Sequence, residues 1–329
     1  MKKLYMPIIA LLGCLGAKAQ ETTTLSYTQT NLVSDVSTLT TIQDPHLVNP
    51  WGLARTAGSP WWVADTGTGL ATSYTAAGTI ESRVVTIPTA SGTGTGSPTG
   101  TVAWGSDFVF VTLDGTISEW ASGATAALKV NNSGVGAVYT GCTLATYQGA
   151  LTLYVANSAG GVVAYSSTFS RVTLPSGAFI DPNVPAGYTP YGIQYANGAI
   201  WVTFADAPGA GNGYVDAFNS SGTLLLSLEH GNWMNEPWGI ALAPAGFGEF
   251  SGDILVGNTG SGFIAAFSAT TGTFAGFLKN SAGTSLKNSG LWAIYFGNGN
   301  ASSGPTTTLF FTAGLDDFKR GLFGSITAN

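Results

Sequence analysis

The chain is nearly devoid of cysteine, histidine and positive charge: two Cys, two His and 11 Lys plus Arg stand among 329 residues. Cys14 lies in a segment expected to be removed, so Cys142 remains alone. That excludes an internal disulfide and a Cys/His zinc cluster. Cys142 sits in the apolar run Cys142-Thr143-Leu144-Ala145 and reads as a small buried hydrophobe rather than a nucleophile. So few cations cannot neutralise many phosphates, which argues against nucleic acid and against an anionic membrane surface. There is no G-x-S-x-G elbow, no P-loop and no H-E-x-x-H. The glycine-rich run over 92–100 contains Pro98, fits no dinucleotide fingerprint and reads as a loop between units. No long segment carries a helical period.

The N-terminus has the form of an export signal. Lys2 and Lys3 precede an apolar stretch over Leu4–Leu15, too short to span a bilayer, and Ala17-Lys18-Ala19 forms a small-x-small cleavage pattern. Residues 1–19 are therefore expected to be a signal peptide, with residues 20–329 a single domain in the periplasm or outside the cell. Leu11-Leu12-Gly13-Cys14 offers a lesser alternative, lipid anchoring through Cys14. Removing Lys2, Lys3 and Lys18 with no acidic residue takes the formal charge from −6 to −9, a balance suited to attracting a cation. About 310 residues are ample for a core without staples.

Glycine, threonine, serine and aromatic residues fill the remainder, in short β-like runs separated by Gly, Asn and Asp turns. Six units begin alike. Asn49-Pro50-Trp51-Gly52, Thr99-Gly100, Thr140-Gly141, Pro190-Tyr191-Gly192, Glu236-Pro237-Trp238-Gly239 and Leu291-Trp292-Ala293 each lead into an apolar strand. The markers Gly52, Gly100, Gly141, Gly192, Gly239 and Ala293 are 48, 41, 51, 47 and 54 residues apart, near the roughly 40–50 of a four-stranded propeller blade. A second strand follows in each, as in Trp61–Ala64 before Asp65 or Ile200–Ala205 before Asp206, and then a third that often ends on an aromatic, as at Trp120, Tyr165, Phe218 and Phe267. The sixth unit runs out after Gly321–Ile326, while a spare β-like run lies at Ser26–Val33. The expected fold is all-β: a six-bladed β-propeller of four-stranded antiparallel blades, its ring closed by the N-terminal strand.

The motifs Asn49-Pro50-Trp51-Gly52-Leu53-Ala54, Asp65-Thr66-Gly67-Thr68-Gly69-Leu70, Pro185-Ala186-Gly187-Tyr188, Phe250-Ser251-Gly252-Asp253, Leu255-Val256-Gly257-Asn258 and Gly321-Leu322-Phe323-Gly324-Ser325-Ile326 resemble a bacterial family of exported propeller proteins. Some members of that family end in a PEP-CTERM sorting tail. The resemblance spans nearly the whole expected mature chain and brings no settled activity. The sequence ends at Asn329 without such a tail, which implies release or retention by another route. More distantly, the architecture is similar to six-bladed calcium-dependent lactonases of the gluconolactonase and paraoxonase type, a likeness of fold alone.

In a propeller, the turns before first strands and after second strands open on one face, and there this sequence repeats Asp and Asn. Asn49, Asp65, Asn157, Asp206, Glu236 and Asn258 are the candidate calcium ligands, since calcium takes six to eight oxygens. The same residues also serve as ordinary turn formers that bond their own backbone. Trp51, Tyr191, Trp238 and Trp292 share one repeat position and are expected to pack between blades, with an apolar wall for a ligand as a second role. His46 and His230 precede first strands and, with Asp206, are the candidate catalytic bases.

The expected function is calcium-dependent hydrolysis of lactones, including N-acyl-homoserine lactones, by metal-assisted attack of water at the central channel. The alternative is a non-catalytic extracellular binding propeller. A redox enzyme ranks last, because few cations in the face motifs could hold an acidic cofactor. The expected partner is a small molecule, and the expected state is a monomer without a membrane span.

Overall fold

The computed structural model describes Met1, residues 25–206 and residues 212–329. The expected signal peptide lies outside the described residues apart from Met1. Six four-stranded antiparallel sheets are arranged as blades, and helix is confined to the four-residue turn Leu315–Phe318 and two short 3-10 turns among the described residues. The inner strands are Pro50–Ala54, Pro98–Trp104, Tyr139–Tyr147, Thr189–Ala196, Pro237–Leu242 and Leu291–Phe296. They are the six units expected from the repeat. In blade 6 the order is Leu291–Phe296, Thr308–Gly314, Arg320–Ala328 and then Tyr27–Ser34. The N-terminal strand pairs with Arg320–Ala328 from Tyr27↔Ala328 to Ser34↔Leu322, which closes the ring and covers that edge.

The second strands lie between neighbouring blades, so most of their length is buried on both faces and their sequences are largely apolar rather than alternating. Trp61-Trp62 shows the device. Trp61 packs toward blade 6 with Phe310, while Trp62 packs toward blade 2 with Phe108 and Trp120. Successive side chains of a strand point to opposite faces, so one Trp-Trp pair fills two interblade wedges. The core is accordingly six wedges rather than one ball. At roughly 25 cal/mol per Å² of buried apolar surface, these large rings contribute more to its stability than any other side chains. Outer strands face water and alternate, as in Ala127–Asn131.

The repeat markers have a packing cause. Every inner strand shifts register near its marker, for example between Pro50 and Leu53 and between Pro190 and Ile193. There the backbones of adjacent inner strands meet around the axis. A Cβ on Gly52 would lie 2.6 Å from the Thr99 carbonyl oxygen of blade 2, closer than any side chain tolerates, and only glycine fits. Threonine hydroxyls then tie blade to blade. Thr66 Oγ1 donates to the Pro98 carbonyl at 2.6 Å, Thr99 to Tyr139 at 2.8 Å, Thr259 to Leu291 at 2.8 Å and Thr312 to Trp51 at 2.6 Å. Each bond reaches a carbonyl at the start of the next blade's inner strand, beside its register shift.

Candidate functional site

At the end of the axis where inner strands begin, a cavity of about 600 Å³ opens, lined by Asn49, Trp51, Thr140, Tyr191, Asp206, Glu236, Trp292 and Phe318 among others. Its floor is aromatic. Trp51 and Trp292 stack at 3.6 Å between ring centroids with 19° between planes. Tyr191 stands edge-on to both, at 6.1 and 5.9 Å, and Trp238 does the same beneath them at 6.1 and 5.9 Å. Edge-to-face contact puts positive ring edges on negative ring faces, which favours this arrangement over a disordered cluster. Two indoles are anchored: Trp292 Nε1 donates to Asn49 Oδ1 and Trp238 Nε1 to the Thr140 carbonyl, each at 3.0 Å. Trp51 Nε1 is buried without a partner among the described residues.

Asp206 and Glu236 bring carboxylates to this largely apolar cavity. Glu236 is 7% exposed. It and Asn49 hold φ values of 54° and 47° at equivalent places before inner strands. Asn adopts the left-handed region readily, whereas Glu does so at a cost of about 1–3 kcal/mol. Packing therefore enforces the position of Glu236. The Tyr191 phenol is pushed up, first by burial and then by the Glu236 carboxylate.

The other expected ligands turn elsewhere. Asn157 Oδ1 accepts from the Val138 amide at 2.9 Å, and Asn258 Oδ1 accepts from the Asn235 amide at 2.8 Å. In each case the residue ending the second strand fastens the loop entering the first strand of its own blade. Asp114, at the corresponding place in blade 2, accepts from the Ser97 amide at 2.9 Å. Asp65 is fully buried inside blade 1, where its Oδ2 accepts from Thr72 at 2.8 Å and its Oδ1 has no partner among the described residues. Burial pushes this carboxyl well above the usual range, and nearby Asp44 adds to the effect. Of the six expected ligands, Asn49, Asp206 and Glu236 line the cavity. Among the described residues no three His, Cys, Asp or Glu side chains form a metal-holding group, and the six expected oxygen donors do not all converge on one point.

Neither histidine lines the cavity. His46 Nδ1 lies 2.9 Å from Oδ1 of buried Asp44, whose Oδ2 accepts from Tyr74 at 2.9 Å. His230 is exposed, stacks on Tyr214 at 4.2 Å and holds Nδ1 at 3.0 Å from the Gly213 carbonyl, which fixes the proton on that nitrogen.

No protein-family model matches the chain. Two uncharacterized proteins of Acanthamoeba polyphaga mimivirus are similar over most of its length. One is 28% identical over 328 residues, covering 90% of this chain and 78% of that protein. The other is 26% identical over 329 residues, covering 90% and 84%. A third, also uncharacterized, is 30% identical over 206 residues, which span 57% of this chain and 38% of that protein. Among solved structures, virginiamycin B lyase from Staphylococcus aureus superposes with a TM-score of 0.56 at 15% identity, covering 92% of this chain and 99% of that one. A glucose dehydrogenase gives 0.59 at 13%, covering 91% and 99%. A luciferin-regenerating enzyme gives 0.56 at 13%, covering 86% and 92%. These neighbours are six-bladed propellers. At such identities the likeness is one of fold.

One wall of the cavity has no counterpart among the expected site residues. Phe318 stands 5.5 Å from Trp292, carried by the turn Leu315–Phe318 in which Asp316, Asp317 and Phe318 have φ of 52°, 52° and 65°. The Asp316-Asp317 pair signals a turn. Nothing local tells that the turn folds back over the channel mouth.

Proposed function

We propose that the protein binds a small, mainly apolar organic molecule carrying a cationic or hydrogen-bond-donating group at the aromatic mouth of the channel. The observation that carries this reading is the pairing of a Trp51, Tyr191, Trp292 and Phe318 lining with the Asp206 and Glu236 carboxylates in one cavity of about 600 Å³. That volume and character suit a ligand site. Aromatic faces and carboxylates both favour positive charge, and the acidic chain concentrates cations around it. The test is titration of tryptophan fluorescence with alkyl- and arylamines against neutral molecules of the same shape. Amines should bind more tightly, and Asp206→Asn should remove most of the difference. Equal binding of neutral partners, or none at all, refutes the reading. Export beyond the cytoplasm is part of it, to be checked by fractionation and N-terminal sequencing of the mature chain.

A second reading keeps hydrolysis of lactones, and the shared cavity position of Asn49, Asp206 and Glu236 favours it. Those side chains would hold calcium with water completing the shell, and the ion would supply Lewis acidity toward a carbonyl. A lactone panel run with and without chelator tests it. Absence of turnover, together with no calcium-dependent rise in Tm, leaves the binding reading alone.

A further inference from the structure

The opposite mouth of the channel has a different chemistry. Two adjoining hollows of about 180 and 230 Å³ share Arg55, Gln194, Tyr195 and Tyr295, and among the described residues no Asp or Glu lines either of them. Arg55 packs at 5.1 Å from the Trp61 ring and 5.6 Å from Tyr295, with one terminal nitrogen donating to the Phe296 carbonyl at 2.9 Å. Its Nε is buried without a partner, and the ion pairs among the described residues do not include it. Partial burial depresses its pKa, a sign that the cation is held away from water without a carboxylate to balance it. A guanidinium in such a place is costly unless an anion answers it.

A second observation falls at the same spot. Thr101, 5% exposed, lines the first hollow with its hydroxyl unpartnered among the described residues. The loop that presents Arg55 is held rigid, since Asn298 and Asn300 side-chain amides donate to the Ala57 carbonyl at 2.9 and 2.7 Å. A fixed guanidinium, an idle hydroxyl and the Gln194 amide thus offer donors on small hollows with no carboxylate among their described lining residues, the inverse of the acidic mouth.

The geometry points to a binding site for the oxyanionic group of a small molecule, a carboxylate or phosphate, at this second mouth, with Arg55 as its fork and Thr101 as an auxiliary donor. The site is independent of the aromatic cavity.

The experiment uses the mature protein at low ionic strength, with succinate, inorganic phosphate and neutral succinamide as probes, read by calorimetric titration and thermal shift. Succinate or phosphate should bind and raise Tm, and whichever binds identifies the anion class, while succinamide should do neither. Arg55→Met should weaken binding about tenfold or more, with Arg55→Lys intermediate because it keeps charge but loses the fork. Asp206→Asn should leave anion binding unchanged, which separates this site from the first. Binding by neither anion, or full affinity in Arg55→Met, overturns the proposal. If Arg55→Met fails to fold, Thr101→Val decides: a loss of severalfold supports the site and unchanged affinity refutes it.

Discussion

Trp51 and Trp292 stack face to face across the seam between the first blade and the last. One contact thus joins the closure of the ring to the floor of the candidate site. Trp292→Ala removes the stack, the Asn49 hydrogen bond and part of the floor together. The expected outcome is a loss of about 3–5 kcal/mol in stability with loss of amine binding. Urea unfolding and fluorescence titration of the same preparation check both.

The glycine ring yields a sharper steric test. Gly52→Ala places a methyl against the backbone of blade 2, so the interblade contact must open at a cost of about 1–3 kcal/mol. Ala293→Gly, at the equivalent position of blade 6, removes only a methyl and should cost less. Comparing the two by thermal denaturation separates crowding at the axis from general sensitivity of inner strands.

Asp216 sets a pH dependence. It is 2% exposed, with Oδ2 unpartnered among the described residues. Burial first, and Asp181 to a lesser degree, push its carboxyl up to about 7 against the lowering effect of the Ser227 hydroxyl. The native state therefore holds a proton that the unfolded chain releases near pH 4. The stabilisation is complete below that pH and is lost as pH rises through about 7. Asp216→Asn should match wild type near pH 4 and exceed it at pH 8 by on the order of 2–4 kcal/mol. Denaturant midpoints at the two pH values measure the difference, and equal offsets at both would contradict this account.

Ring closure can be cut. A chain beginning at residue 35 lacks Tyr27–Ser34 and leaves the backbone edge of Arg320–Ala328 bare. Lower Tm and concentration-dependent oligomers are expected, visible by light scattering. A monomeric, equally stable truncation would show that the closing strand is dispensable.

The architecture was legible because close packing at the axis writes itself into the sequence: a glycine at five of the six bulges and an alanine at the sixth, an aromatic just before it in several blades, and a largely buried apolar strand after it. The site was legible only in part. Asn49, Asp206 and Glu236 reach the cavity, but Asn157 and Asn258 look the same in sequence and bond the neighbouring loop instead. At a strand end, local amides compete with any ligand for an Asn or Asp oxygen, and composition does not reveal which wins. Arg55 gave no signal at all, being a single cation in a turn. Its meaning comes from the surroundings that the fold assembles around it, which bring aromatic rings and donors but no carboxylate.

Ser34 donates its hydroxyl to the Gly321 carbonyl, 287 positions away. The strand that carries Ser34 is among the first segments made and the last to find its partner, since Arg320–Ala328 must be synthesised before the two can meet. A contact of such long range costs chain entropy and slows the final folding step. Until the C-terminus arrives, the chain is an unlatched row of blades whose last edge is open, and its native lifetime begins only when the two ends are joined.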